Sequence, residues 1–324
     1  MKKMTVAITR KLHPVAFQIL QDAQLDYVVW HKELPPTASE LLNFCTGHAG
    51  VLSMVTDHFN QHNIPALAQQ GLKIIANNAV GVDNIDLDQA KKHKVLVTNT
   101  PDVLTESTAE LTIALILALA RNLVGSGQFI KDGKWQTWGP LDHMGMELSG
   151  KTLGILGMGR IGQSVARKMA LAFNMQVIYL KQTALKQELD FPARPVDLAT
   201  LLTESDVLSL HAALTKDTRA LIGAKELGSM KKSALLINTA RGALIVQAEL
   251  VAALQAQQIA GAALDVTDPE PLPATSPLLA LPNALVTPHI GSATREARSN
   301  MAKLAAQSLV SYLKEQKIPA NIVR

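Results

Sequence analysis

Residues 152–162 read Thr-Leu-Gly-Ile-Leu-Gly-Met-Gly-Arg-Ile-Gly, and this stretch decides the fold. Its first five residues predict a short buried strand, and the remainder matches G-x-G-x-x-G, a pattern typical of a tight turn that opens a helix. Gly157 permits the turn, Gly159 lets the backbone approach a pyrophosphate, and Gly162 lets the helix pack closely on the strand. The positive end of the helix would face the phosphates. We therefore predict a dinucleotide-binding site, with a glycine-rich turn in a non-binding α/β domain as the alternative.

Short apolar runs alternate with helical segments on both sides of this stretch. The runs before it lie at 5–8, 28–30, 50–52, 73–75 and 95–97, and those after it at 176–179, 207–210, 234–238, 262–266 and 284–286. Such alternation indicates parallel sheets covered by helices on both faces. We predict an α/β protein with two doubly wound parallel-sheet domains. A Rossmann-type nucleotide domain, residues 105–292, is inserted in a flavodoxin-like catalytic and substrate domain, formed by residues 1–104 and 293–324.

A long apolar helix is predicted at the start of the nucleotide domain. The pattern Ser107-Thr108-Ala109-Glu110 resembles a capping box, and the segment that follows stays apolar on all sides to Leu119. Such a helix belongs in an interior or an interface. Together with the stretch from Trp135 to Trp138, it leads us to expect a homodimer.

Composition argues against several classes of protein. The net charge is only +4, and Lys and Arg are scattered along the chain, so we do not expect nucleic acid as a partner. The single cysteine, Cys45, cannot form an intramolecular disulfide, which favours a reducing compartment. The apolar run after the basic start is too short for a signal peptide, and no segment has the ~20 apolar residues of a membrane span. We expect a cytoplasmic protein without a membrane partner.

Three candidate catalytic residues follow predicted strands of the nucleotide domain: Arg241, Glu270 and His289. Doubly wound sheets bind their ligands at this edge. The planar, charged fork of Arg241 suits a carboxylate, and a histidine paired with an acid can give a proton to a carbonyl oxygen that receives a hydride. Alone, each residue has an ordinary alternative: a surface arginine, a solvated loop acid and a structural histidine. Together they predict reduction of a small 2-keto acid by a nicotinamide cofactor.

The sequence resembles the D-isomer-specific 2-hydroxyacid dehydrogenases. The matching segments span nearly the whole chain: residues 80–86, 99–101, 157–162, 238–242, 268–271 and 288–294. The intervals of 29 residues from Arg241 to Glu270 and 19 residues from Glu270 to His289 also match. The resemblance is nearest to the bacterial glyoxylate/hydroxypyruvate reductase branch, which includes 2-ketogluconate reductases. It implies reduction of glyoxylate, hydroxypyruvate or 2-ketogluconate to D-2-hydroxy acids with NAD(P)H.

The resemblance also implies further site residues, by position. The loop at Val80 and Gly81 resembles the one that binds the substrate carboxylate, and Asp265 resembles the acid that holds the nicotinamide carboxamide. Other positions match cofactor contacts: Thr108, Arg160, Ile161, His211, Thr239 and Gly291. Residues 212–215, Ala-Ala-Leu-Thr, lack the proline usual before Leu-Thr, which puts the contacts near His211 in doubt. Met54, beside a strand end, and Trp138 are candidates for shaping the substrate pocket.

Other readings remain open. Formate dehydrogenases have Gln at the position of Glu270, and phosphite dehydrogenases have Lys at that of Val80, so both are disfavoured. A nucleotide-sensing corepressor built on the same scaffold is a further alternative. We expect no metal site, because the His58 and His62 pair has Phe59 where a zincin pattern needs Glu, and no third ligand is evident.

The end of the second strand of the nucleotide domain predicts the cofactor. NAD-preferring folds have an acid there, about 20 residues after the glycines, whereas this chain has Leu180 followed by Lys181. The ammonium of Lys181 and the hydroxyl of Thr183 could bind a 2′-phosphate. We therefore expect a preference for NADP(H), with NAD(H) also accepted. Indifference between the two cofactors is the alternative, with Lys181 merely solvated.

Overall fold

The structure is a computed structural model that describes residues 4–182, 185 and 188–323. The chain divides after Leu104 and after Ser292 into two compact units. The first unit contains the residues up to 104 and those from 293 onward, and the second unit contains residues 105–292. Each is a parallel sheet with helices on both faces.

The first unit has a parallel sheet whose strands, in the described residues, follow the order β2-β1-β3-β4-β5. This is the flavodoxin-like order. The strands β1, β3 and β4 are almost wholly buried because helices cover both faces. The elements before the second unit are β1 (Thr5–Ile8), α1 (Pro14–Asp22), β2 (Asp26–Val29), α2 (Ala38–Cys45), β3 (Gly50–Ser53), α3 (Ile64–Gln69), β4 (Ile74–Asn77), α4 (Leu87–Lys92) and β5 (Leu96–Thr98).

The second unit is larger, and its described strands follow the order β12-β11-β10-β9-β6-β7-β8. Six of these strands have the Rossmann order, and β12 extends the sheet beyond β11. The two sheet orders confirm the predicted fold class. Its elements are α5 (Thr105–Ala120), α6 (Leu123–Lys131), β6 (Thr152–Leu156), α7 (Arg160–Phe173), β7 (Gln176–Leu180), β8 (Arg194–Pro195), α8 (Leu198–Glu204), β9 (Val207–Leu210), α9 (Ala224–Ser229), β10 (Leu235–Asn238), α10 (Gln247–Gln255), β11 (Gly261–Leu264) and β12 (Ala284–Val286).

The terminal helix α11 (Arg295–Leu313) belongs to the first unit. Its buried face includes Ala305, Ala306 and Leu309, which share a core cluster with the strands β1 and β4 and the helix α1. A Cβ on Gly50 would lie 2.8 Å from Cδ2 of Leu309, so glycine at the start of β3 lets the helix approach the sheet. The helix thus covers one face of a sheet whose strands all precede the second unit in the sequence.

The capping box at Ser107 predicts a helix that starts at Thr108, three residues after the observed start of α5. The helix begins at Thr105, so Ser107 and Thr108 lie inside its first turn, and both are buried. Oγ1 of Thr108 donates to the carbonyl oxygen of Gly291, 3.2 Å away. The hydroxyl of Thr108 therefore forms a tertiary hydrogen bond, and Ser107, the residue that would cap the predicted helix, lies within the helix instead.

Among the described residues, no single helix has the length and apolar character to cross a membrane. One pair, α5 and α6, passes that test jointly but is bent by 58°.

Candidate active site

The glycine turn lies between β6 and α7 at the carboxyl edge of the second sheet. Gly157 has a φ of +100°, and a Cβ at this position would lie 2.5 Å from the backbone nitrogen of Ala212. Its N–H donates to the carbonyl oxygen of Leu180 at 2.9 Å, which fixes the turn against the end of β7. Both the left-handed conformation and the close approach require glycine here.

The rest of the turn fits a dinucleotide. A Cβ on Gly162 would lie 2.4 Å from the carbonyl oxygen of Gly157, so the helix packs directly on the turn. A Cβ on Gly159, in contrast, would meet no atom within 4 Å, and no side chain caps α7 there. The open space and the uncapped N–H groups form an anion cradle that a side chain would fill.

Arg241 lies in a turn after β10 that is shaped by Asn238. The buried side chain of Asn238 accepts from the N–H of Ala240 at 3.0 Å and donates to the carbonyl oxygen of Arg241 at 2.8 Å. A Cβ on the next residue, Gly242, would lie 2.0 Å from the carbonyl oxygen of Thr267. Glycine therefore brings the turn after β10 against the turn that leads to Glu270.

His289 and Glu270 form a pair at the same edge. Nδ1 of His289 lies 2.6 Å from Oε1 of Glu270, and the two side chains are 32% and 38% exposed. An ionised carboxylate only accepts, so Nδ1 carries the hydrogen and Nε2 remains for other work. Arg241, Glu270 and His289 follow β10, β11 and β12, which are neighbouring strands, so the structure brings all three to one edge.

His289 has a φ of +54°, which is uncommon for a residue other than glycine. The buried carboxylate of Asp265 maintains this turn. Its Oδ1 accepts from the N–H of Ile290 at 2.8 Å and from Oγ1 of Thr287 at 2.6 Å, and its Oδ2 accepts from the N–H of Gly291 at 2.8 Å. The N–H of His289 donates to the backbone oxygen of Asp265 at 2.9 Å. No local sequence pattern indicates this positioning role of Asp265.

Two of the other proposed cofactor residues, Thr108 and Thr239, lie near these turns, and their buried hydroxyl groups form hydrogen bonds within the protein. Thr108 binds the carbonyl oxygen of Gly291, and Thr239 lies 2.9 Å, between Oγ1 atoms, from Thr112. Thr112 of α5 is fully buried, and sequence reasoning missed it because a threonine in an apolar helix has no distinctive pattern. The helix α5 thus holds both the turn after β10 and the turn after β12.

His211 and Ile161 flank the glycine turn. Ile161, in the first turn of α7, is half-buried and packs on the apolar core of the second unit. The ring of His211 follows β9, and its Nε2 lies 2.8 Å from Oγ of Ser209. Burial lowers the pKa of His211 to about 4, so the ring is neutral at physiological pH. It can hydrogen-bond with a ligand but adds no charge to the site.

The end of β7, which the sequence analysis links to the choice of cofactor, is only partly within the described residues. Leu180 is the register partner of Leu156 in β6, so the half-buried Lys181 follows directly beside the glycine turn. Arg160 is the exposed first residue of α7. Thr183 lies outside the described residues.

In the first unit, the loop at Val80 and Gly81 has its carbonyl groups turned inward. The carbonyl oxygen of Val80 accepts from Nδ2 of Asn99 at 2.8 Å, and that of Gly81 accepts from Nδ2 of Asn77 at 2.9 Å. Among the described residues, no acceptor bonds to the N–H of either residue. These two adjacent backbone donors are half-exposed and can bind solvent or a ligand.

Met54 lies in a turn of the first unit that is fixed by a buried network, which the sequence did not reveal. Oδ2 of Asp57 accepts from the N–H of Met54 at 2.8 Å and from Oγ1 of Thr9 at 2.5 Å. Nδ2 of Asn84 donates to the carbonyl oxygen of Met54 at 3.1 Å. Burial raises the pKa of Asp57, although the hydrogen bonds from Thr9 and Met54 act in the opposite direction. Asn84 belongs to the segment 80–86 that carries the family resemblance, which is the one signal that could have pointed to the network.

Within the part of the chain that the structure describes, no three His, Cys, Asp or Glu side chains cluster to hold a metal ion. His58 and His62 lie in turns between β3 and α3 rather than on one helix, so helical spacing does not apply to them.

A sheet edge that accepts a dinucleotide and presents a histidine–carboxylate pair beside it defines a nicotinamide-dependent oxidoreductase. Residues 113–291 match the family model described as "D-isomer specific 2-hydroxyacid dehydrogenase, NAD binding domain". The chain belongs to the D-isomer specific 2-hydroxyacid dehydrogenase family. This confirms the resemblance and the class of enzyme.

Individual relatives are similar over their full lengths. A glyoxylate reductase of Aeropyrum pernix is 44% identical over 328 aligned positions, covering 100% of this chain and 96% of the relative. A solved Thermus thermophilus protein is 45% identical with a TM-score of 0.91, covering 99% of this chain and 100% of that one. An NADPH-dependent glyoxylate/hydroxypyruvate reductase of Sinorhizobium meliloti, in complex with NADP and malonate, is 29% identical with a TM-score of 0.86. It covers 99% and 97% of the two chains. These similarities do not favour a formate dehydrogenase, a phosphite dehydrogenase or a corepressor.

Proposed function

We propose that this protein reduces glyoxylate and hydroxypyruvate to D-2-hydroxy acids with NADPH, and that 2-ketogluconate is a further substrate. The observation that carries the proposal is the 2.6 Å contact between Nδ1 of His289 and Oε1 of Glu270, at the sheet edge where Arg241 also lies. The names of the relatives from Aeropyrum pernix and Sinorhizobium meliloti support these substrates.

The residues of the second unit supply acid catalysis and charge. A bound reduced nicotinamide supplies the hydride that is added to the carbonyl carbon. We assign to Nε2 of a protonated His289 the transfer of a proton to the carbonyl oxygen, because Nδ1 is committed to Glu270. The carboxylate of Glu270 stabilises the imidazolium, and Arg241 binds the substrate carboxylate through its two-pronged guanidinium. In the reverse direction, neutral His289 takes the proton from the hydroxyl.

From the first unit, we assign the N–H groups of Val80 and Gly81 to the substrate carboxylate. They are adjacent donors in a loop whose carbonyl groups are bonded by Asn99 and Asn77. Met54 is assigned a role in shaping the substrate pocket, because its backbone is fixed at both the N–H and the carbonyl group. Each assignment is drawn from the geometry within its own unit.

For the cofactor, we assign the pyrophosphate to Gly157, Gly159 and Gly162, and the 2′-phosphate to Lys181. The open cradle at Gly159 supports the first assignment. The position of Lys181, one residue beyond the register partner of Leu156, supports the second. Further contacts are assigned to Thr108, Arg160, Ile161, Thr183, His211, Thr239, Asp265 and Gly291. NADP(H) is the preferred cofactor in this proposal, and NAD(H) is accepted with lower affinity.

A second copy of the chain is the proposed partner. The helix α6 has no buried residue, and the segment after it exposes two tryptophans, Trp135 at 65% and Trp138 at 79%. Several large exposed apolar side chains in one segment are typical of an interface. A Val124→Asp variant should sediment as a monomer at micromolar concentration while the wild type sediments as a dimer. Leu279→Asp, at an exposed apolar residue outside α6, is the matched control and should leave the dimer intact.

The proposal is tested by a panel of substrates assayed with both nicotinamides. Glyoxylate, hydroxypyruvate, 2-ketogluconate and pyruvate would each be offered with NADPH and with NADH, and formate and phosphite with the oxidised cofactors. We expect the highest kcat/KM for glyoxylate or hydroxypyruvate with NADPH. Tight NADPH binding without turnover of any compound would instead support the nucleotide-sensing alternative.

A further inference from the structure

Three threonines of the second unit are linked by hydrogen bonds near the proposed cofactor edge, through two side chains and one backbone carbonyl group. Thr112 is fully buried, and Thr108 and Thr239 are 5% and 9% exposed. Oγ1 of Thr112 lies 2.8 Å from the carbonyl oxygen of Thr108 and 2.9 Å from Oγ1 of Thr239. Thr108 and Thr112 are one turn apart in α5, whereas Thr239 directly follows β10.

The chemistry of these groups fixes the direction of each hydrogen bond. A carbonyl oxygen only accepts, so Thr112 must donate its hydroxyl hydrogen to Thr108. A hydroxyl group has one hydrogen, and therefore Thr239 is the donor in its bond with Thr112. The hydroxyl hydrogen of Thr108 is likewise committed, because it donates to the carbonyl oxygen of Gly291.

We propose that Thr112 is a positioning residue that makes Thr239 a hydrogen-bond acceptor toward the bound dinucleotide. Because the hydroxyl hydrogen of Thr239 points inward to Thr112, its remaining lone pair can receive only a donor. The matching groups of a dinucleotide are a ribose hydroxyl and the carboxamide N–H, whereas a phosphate oxygen would be repelled. The inference rests on the proposed function. It states that a buried residue, Thr112, determines which group of the cofactor Thr239 can bind.

The test is direct binding of NADPH, measured by titration calorimetry without any keto acid. Thr112→Val keeps the shape of the side chain but removes the acceptor, which frees the hydroxyl of Thr239 to rotate. We expect the Kd for NADPH to rise about three- to tenfold, the effect of one neutral hydrogen bond. Thr112→Ser, which restores the hydroxyl, should stay within about twofold of the wild type.

A double variant separates positioning from general damage. If Thr112 acts through Thr239, then Thr239→Val should weaken binding by a similar factor, and the double variant should be no weaker than Thr239→Val alone. Thr98→Val, at a buried threonine of the first unit whose hydroxyl has no partner among the described residues, is the matched control and should bind normally.

The outcomes distinguish this inference from the proposed function. Wild-type affinity in Thr112→Val, or independent and additive effects of the two Val variants, would overturn the role of Thr112 alone. Failure of the wild-type protein to bind NADPH or NADH at all would overturn the proposed function. A lower unfolding midpoint of Thr112→Val with unchanged affinity counts against the inference, because it shows a structural role only.

Discussion

The imidazole of His289 and the carboxylate of Glu270 are in hydrogen-bond contact, with 2.6 Å between Nδ1 and Oε1, although they follow different strands and lie 19 residues apart in sequence. Because Nδ1 binds the carboxylate, Nε2 is the ring nitrogen that we propose to face the substrate. The left-handed backbone of His289, with a φ of +54°, is part of this arrangement and is fixed by Asp265.

Removal of the imidazole should abolish most turnover without loss of cofactor binding. His289→Asn is the suitable variant, because asparagine tolerates the left-handed conformation better than alanine. We expect kcat to fall about 10²-fold or more, the usual contribution of a positioned general acid, with the Kd for NADPH nearly unchanged.

The carboxylate should matter only through the imidazole. Glu270→Gln keeps an oxygen that accepts from Nδ1 but removes the charge that stabilises the imidazolium, so we expect a loss of about tenfold in kcat. In the His289→Asn background, the same substitution should have little further effect. Two independent losses that multiply would show that Glu270 acts on the substrate by another route.

Two glycines of the same turn should respond differently to alanine. Gly159 faces open space, so Gly159→Ala should keep the unfolding midpoint and weaken NADPH binding about tenfold or more by occupying the phosphate cradle. Gly162→Ala places a Cβ 2.4 Å from the carbonyl oxygen of Gly157 and should destabilise the fold by about 1 to 3 kcal/mol. Gly228→Ala, in open space on α9, is the control for both measurements. Unimpaired binding in Gly159→Ala would place the pyrophosphate elsewhere.

Lys181 should select the cofactor. Lys181→Ala should raise the KM for NADPH about tenfold and leave the KM for NADH nearly unchanged. Only NADPH has a 2′-phosphate, and this phosphate would lose its positively charged partner. Lys232→Ala, at an exposed lysine elsewhere in the second unit, controls for the loss of net charge. If the KM for NADPH is equally insensitive to both substitutions, the phosphate is bound by other residues.

Acidification should reveal the lowered pKa of His211. Its pKa in the folded protein is about 4, below the ordinary value of 6.5, so between these values the unfolded chain binds a proton that the folded chain does not. Stability from this group is therefore complete above about pH 6.5 and is lost as the pH falls toward 4, by on the order of 2 kcal/mol. His211→Asn should lose this part of the pH dependence.

Denaturant titrations at pH 7.5 and pH 5 measure the effect. The free-energy difference between the wild type and His211→Asn should shrink at the lower pH. His62→Asn, at an exposed histidine, should show the same difference at both values. A constant difference for His211→Asn would mean that the ring titrates normally in the folded state.

The alternation of strands and helices along the chain was largely predictable from the sequence, because it depends on local patterns. The run at 152–156 and the glycines after it specify strand, turn and helix through residues that are close together. The three catalytic candidates were also accessible, since each follows a strand and parallel strands end at one edge. Their spacing matched a known family, which local reasoning alone could not supply.

Other features depended on contacts between distant residues. The start of α5 was misplaced because Ser107 matches a capping pattern but lies within a helix that begins at Thr105. The contact of Thr108 with Gly291, a residue 183 positions away, has no local pattern either. The family resemblance assigned Asp265 to a cofactor contact. Its hydrogen bonds to the turn that contains His289 could not be predicted from any local sequence pattern. Thr112 and Asp57 were missed for the same reason: buried polar residues gain their roles from partners that only the folded chain brings near.

The product formed from hydroxypyruvate and NADPH shows directly whether this protein reduces a 2-keto acid to the D-2-hydroxy acid. Chiral analysis of the product, alongside the loss of NADPH absorbance, measures both the stoichiometry and the handedness of the reduction. We expect one D-glycerate for each NADPH consumed by the wild type, and a rate that is lower by about 10²-fold or more in His289→Asn. Formation of L-glycerate, or stable NADPH in the presence of saturating hydroxypyruvate, would contradict it.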